Sequence, residues 1–121
     1  MVSTQLLEPP YYAVIFTSLL PMQADAKEYG ETSSEIFGLA QGQPGFLGID
    51  SVRDAGGQGV TISYWRTLDD VTDFRKIATH RHAQQRGREA FYERYEVRVA
   101  KVEKEYAWRR KEDGRGEYLK T

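Results

Sequence analysis

The chain has 121 residues, of which 40% are hydrophobic and 12% aromatic, with a formal net charge of −1. That size and apolar content suit one packed domain and exclude a disordered chain. The near-neutral charge excludes nucleic acid or an anionic membrane as the main partner, and the lack of cysteine excludes disulfides, thiolate metal sites and cysteine nucleophiles.

The charge is unevenly spread. Residues 1–50 hold one basic residue, Lys27, against six acidic ones, whereas residues 75–101 hold eight basic against three acidic. In a compact fold this marks one basic face, either a solvated helix surface or a seat for an anionic ligand. The N-terminus MVSTQLLEPP lacks the basic and apolar regions of a signal peptide, and the longest apolar run, Tyr11 to Phe16, is too short to span a bilayer. A cytoplasmic location is expected.

Pro9-Pro10 leads into Tyr11 to Leu19, a run rich in β-branched and aromatic residues and apolar on both alternating faces. It reads as a central strand that Pro21 ends, followed by a polar loop over 22–30. From Gly30, Ile36, Leu39 and Ala40 recur at helical spacing with Phe37 beside them, until Gly42 and Pro44 stop the helix. Phe46 to Arg53 and Val60 to Thr67 read as strands joined by the glycine-rich hairpin turn Asp54 to Gly59. That turn lacks the helix start and Lys-Ser/Thr pair of a phosphate loop.

Leu68, Val71, Phe74, Ile77 and Ala78 mark an amphipathic helix with Asp69, Asp70 and Asp73 at its start, where the dipole favours them. The pattern continues through His80–Arg88 with a break expected at Gly87. Tyr95 to Glu103 alternates as a last strand and shifts phase near Ala100, which predicts a bulge. Residues 109–121 show no periodicity and are expected to be a charged flexible tail.

The order strand, helix, strand, strand, helix, strand predicts an α+β fold: a ferredoxin-like four-stranded antiparallel sheet with two main helices on one face. The first strand is apolar on both sides, Tyr12, Val14 and Phe16 on one and Ala13 and Ile15 on the other. The uncovered face therefore needs a partner, and a second copy of the chain is the simplest. A homodimer closed sheet to sheet is expected.

Three segments carry a likeness: Gln43-Pro44-Gly45-Phe46-Leu47-Gly48, Ser63-Tyr64-Trp65-Arg66-Thr67-Leu68-Asp69-Asp70, and Lys76 to Gly87. With them, the chain resembles the dimeric α/β-barrel proteins of the antibiotic biosynthesis monooxygenase (ABM) superfamily over residues 9–108. Pro9 to Ser18 and Glu96 to Tyr106 look like one branch of small bacterial members. The resemblance implies a cofactor-independent monooxygenase-like protein acting on an aromatic or phenolic small molecule with O2. The alternative it leaves is a non-catalytic dimer that binds a small apolar ligand or heme. Heme-degrading members share an Asn on the first strand, a Trp on the third and a His on the second helix. Trp65 matches the Trp, and His80 or His82 lies near the His, with Gln84 or Gln85 closer in register. The sequence contains no asparagine, which disfavours heme as a degraded substrate.

Candidate site residues follow from side-chain chemistry. Trp65 is either a flat wall against an aromatic substrate or a core filler. His80 and His82, the only histidines, are natural proton carriers near neutral pH. Two residues apart on a helix, they point to different sides and make a poor metal site, so no metal is predicted. They are either a helix-end pair or hold the acid/base. Arg81, Arg86 and Arg88 either clamp a carboxylate or phenolate or dress the helix surface. Tyr11, Tyr12 and Tyr64 lie on the two central strands, where a hydroxyl either orients a phenolic substrate or serves the fold. Asp69 and Asp70 read as helix caps rather than a catalytic carboxylate pair.

Overall fold

A computed structural model describes residues 6–22, 26–85 and 92–120, with side chains for 6–22, 34–80 and 92–119. Six strands and two helices run in the order β1 (Tyr11–Leu19), α1 (Ala26–Gln41), β2 (Phe46–Arg53), β3 (Gln58–Trp65), α2 (Leu68–Gln85), β4 (Arg94–Val102), β5 (Ala107–Arg110) and β6 (Gly116–Lys120). The first four strands form one antiparallel sheet in the order β2-β3-β1-β4. The ferredoxin-like plan is present, and the doubly apolar β1 is central as its sequence requires.

Register fixes the two faces. Tyr12 pairs with Trp65 and Val14 with Ser63 across β1 and β3, and Tyr12 with Lys101 across β1 and β4. Because side chains alternate along a strand, Tyr12, Val14, Phe16, Ser63 and Trp65 share one face. Ala40 of α1 and Val71 and Phe74 of α2 pack onto that face with Trp65, Tyr12, Val14 and Phe46. The opposite face carries Tyr11, Ala13, Ile15, Val60, Ile62 and Tyr64. No described helix covers it, and Val52 at its margin is 55% exposed.

Several boundaries depart from expectation. Helix α1 begins at Ala26, inside the stretch read as a polar loop; that segment lacks an apolar stripe and contains Gly30, so periodicity gave no signal. Strand β3 ends at Trp65 rather than Thr67, because Thr67 caps α2: its Oγ1 accepts from the Asp70 N–H at 3.1 Å and lies 2.8 Å from Asp70 Oδ2. No bulge occurs at Ala100, since β1 and β4 stay in register from Tyr11–Val102 to Leu19–Arg94. The apparent phase shift reflects an edge strand whose Val99 is left exposed beyond the helices. The register shift in the sheet falls instead between Phe46 and Gly48.

The expected charged tail is not aperiodic. Residues 107–120 form a two-stranded antiparallel hairpin, β5-β6, turning through Gly114 at φ 90°. The expected break at Gly87 lies outside the described residues. No described helix is long and apolar enough to cross a membrane.

Candidate functional site

The helix-covered face holds the chemistry-bearing residues in two aromatic groups. The first surrounds Trp65, which has no exposed surface. Its ring stacks on Phe74 with centroids 4.9 Å apart and meets Phe46 edge-on at 5.5 Å. Its Nε1–H donates to Ser63 Oγ at 2.9 Å, which satisfies the one polar atom of the indole. Buried and stacked on Phe74, Trp65 packs as the core filler does within the protomer.

The second group was not anticipated. Phe16 stacks on Tyr95 at 5.4 Å and 17°, and Tyr92 meets both edge-on, at 5.4 Å to Phe16 and 5.7 Å to Tyr95. The three rings are half-buried. Phe16 shares a face with Tyr12 by simple alternation, and Tyr95 pairs with Ser18 on that same face. The signal was present in the period of two and needed only the register of β4.

The sheet separates residues that sequence reasoning grouped. Tyr12 lies with Trp65, but Tyr64 lies on the opposite face, because adjacent residues of one strand alternate. Tyr64 therefore cannot share a helix-side cavity with Trp65. On the open face Tyr64 meets Tyr11 edge-on at 5.9 Å. Tyr64 donates to Asp50 Oδ2 at 2.7 Å and Tyr11 to Glu105 Oε2 at 2.8 Å. Burial, then the bond to Glu105, pushes the Tyr11 hydroxyl up to about 12. Burial, then the bond to Asp50, raises Tyr64 further. Both phenols are held protonated, as donors.

His80 is exposed on α2. The side chains of Arg81 and His82 lie outside the described residues, as do Arg86 and Arg88. Among the described residues no group of three or more His, Asp or Glu is placed to hold a metal ion.

A depression of about 470 Å³ opens at the far end of the sheet, lined by Thr17, Ser18, Arg53, Asp54, Gly59 and Arg94 among others. Its charges are used within the chain. Arg53 donates to Ser18 Oγ at 2.7 Å and to the Gly57 carbonyl at 2.5 Å, while Arg94 pairs with Glu96 at 3.2 Å. Sequence reasoning missed Arg53, since nothing local links it to Ser18.

The motif residues also meet. The Arg66 N–H donates to the Gly45 carbonyl at 2.8 Å. Gly45 has φ 80°, and a Cβ there would stand 1.9 Å from Asp70 Oδ2. The Pro-Gly-Phe segment and the capped start of α2 thus form one junction directly beside Trp65.

The family model for antibiotic biosynthesis monooxygenase matches residues 12–86, which span both motifs and this junction. The chain belongs to the ABM family. It is 48% identical over 98 residues to the uncharacterized protein YqjZ of Bacillus subtilis (strain 168), covering 81% of this chain and 84% of that one. Among solved structures it is similar to SnoaB, a cofactor-independent oxygenase from Streptomyces nogalater, at 12% identity and TM-score 0.65 over 80% of this chain and 97% of that one. Rv0793 from Mycobacterium tuberculosis is similar at 18% identity and TM-score 0.64, over 78% of this chain and 97% of that one. These low identities establish the ABM fold, with its four-stranded sheet and paired helices, and leave the chemistry to the residues.

Proposed function

We propose that this ABM protein is a cofactor-independent monooxygenase-like enzyme that acts with O2 on an electron-rich aromatic small molecule between the helices and the sheet. One observation carries the reading. The half-buried rings of Phe16, Tyr92 and Tyr95 pave one end of the helix-side face, and the closed Trp65, Phe46 and Phe74 core backs the other, with Val14 between. Such a floor suits a planar apolar substrate, and a dry site strengthens every polar interaction within it.

The chemistry needs a base and a substrate that supplies all the electrons. With an anthrone, a base removes a proton from the ring methylene and the carbanion reduces O2 with formation of a C–O bond. Loss of water leaves the quinone, so that CH2 and O2 become C=O and H2O. The helical period puts positions 71, 78 and 82 of α2 on one stripe and position 80 on the opposite side. His82 is therefore the proposed base, with Arg81 or Arg86 holding the anion, and exposed His80 is set aside. Tyr12 is the proposed orienting hydroxyl. Trp65 acts as the packed support of Phe74 rather than by touching substrate. Oxygen uptake with a panel of hydroquinones, anthrones and related phenols tests this, and a flat trace with every compound contradicts it.

The working unit is proposed to be a homodimer closed through the open sheet face, whose Ala13, Ile15, Val60 and Ile62 no described helix covers. Sedimentation showing a monomer at micromolar concentration contradicts it.

A further inference from the structure

The C-terminal hairpin has an aromatic side that the described residues leave exposed. Strands β5 and β6 pair only with each other among the described strands. Trp108 pairs with Tyr118, and Arg110 with Gly116, so Trp108, Tyr118 and Arg110 share one side. The Trp108 indole lies over Gly116, where a Cβ would stand 2.1 Å from the ring, and the Arg110 guanidinium sits 5.1 Å from its centroid. Tyr106 meets Tyr118 at 6.2 Å. Yet Trp108 is 48% exposed, Tyr118 67% and Tyr106 69%. On the other side Glu117 pairs with Arg109 at 2.6 Å and with Lys111 at 3.7 Å, a surface suited to water.

A lone two-stranded hairpin is marginal in water and gains stability from packing one side. Tryptophan, tyrosine and arginine are also the residues that dominate the buried centres of protein interfaces. The root of the hairpin indicates what covers it. Glu105, just before β5, accepts the hydrogen bond of Tyr11 on the open sheet face. The hairpin therefore leaves the domain next to the surface on which the second copy is proposed to sit.

We infer that residues 106–119 are a clasp that packs its Tyr106, Trp108 and Tyr118 side onto a second copy of this chain. The inference rests on the proposed sheet-to-sheet dimer and adds a second contact to it.

The chain has two tryptophans, and Trp65 is sealed in the protomer, so acrylamide reads Trp108. Quenching of the full chain is followed across a dilution series alongside sedimentation. Trp108 is expected to be protected at concentrations that give dimer and quenched on dilution to monomer. The full-chain variant Trp108→Ser/Tyr118→Ser, with its unfolding transition checked, is expected to weaken dimerisation by at least about tenfold. A dimer in which Trp108 is quenched as freely as in the monomer overturns the clasp and leaves the sheet-to-sheet dimer standing. So does an unchanged dimer affinity in the double variant. A monomer at every concentration overturns both, whether or not Trp108 is protected.

Discussion

Asp70 occupies the space in which a side chain at Gly45 would stand, its Oδ2 1.9 Å from the position of a Cβ there. The same carboxylate lies 2.8 Å from the Thr67 hydroxyl that caps α2, so one aspartate fixes both the helix start and the turn into β2. Gly45→Ala meets two costs, a backbone at φ 80° that disfavours a Cβ and displacement of Asp70 from the cap. It is expected to destabilise the fold by about 2–4 kcal/mol in urea unfolding. Asp70→Ala in the same background should recover part of that loss by relieving the contact.

Trp65→Ala should cost about 3–5 kcal/mol, as removal of a large buried ring does. Trp65→Phe keeps a ring against Phe74 but leaves Ser63 without the indole donor, at a cost of about 1–2 kcal/mol. If Trp65 acts only through packing, the Phe variant lowers stability and leaves KM for an active phenol unchanged. A several-fold rise in KM at unchanged stability would restore the substrate wall.

Tyr11 and Tyr64 make stability sensitive to alkali. Folding raises both hydroxyls above the ordinary value of 10.0, so the folded state holds these protons more tightly than the unfolded one. Their contribution is complete below pH about 10 and is lost as pH rises through about 12 for Tyr11 and higher still for Tyr64. Urea midpoints should fall over that window, and the fall should flatten in Tyr11→Phe and Tyr64→Phe. A tyrosinate absorbance titration in which all eight tyrosines ionise together near 10 would contradict it.

Gly59 lets Arg53 lie across β3 to reach Ser18 on β1. A Cβ at Gly59 would stand 2.5 Å from Arg53 Cζ, so Gly59→Ala displaces the guanidinium and loses its bonds to Ser18 and Gly57. The expected cost is about 1–3 kcal/mol. Because the loss acts through Arg53, Gly59→Ala should cost much less in an Arg53→Ala background. Additive losses in that double-mutant cycle would reject the coupling.

Strand and helix order could be read from sequence because β1 is apolar on both faces and α2 repeats Val71, Phe74 and Ala78 at helical spacing. The split of Tyr64 from Trp65 was equally readable from alternation, but treating both as strand aromatics hid it. The hairpin escaped notice because β5 and β6 have only four and five residues, dense in charge, too short for a period to emerge. The Arg53–Ser18 contact and the Phe16–Tyr95 stack depend on which strands become neighbours, and local sequence carries no such information.

The proposed chemistry rests on His82 as a single base. Oxygen consumption with an anthrone should be compared for the unaltered chain, His82→Ala and His80→Ala under identical conditions. The expected result is uptake proportional to protein, reduced about 10²–10⁴-fold in His82→Ala and unchanged in His80→Ala. Equal rates in all three proteins, or no uptake above the buffer in any of them, would contradict it.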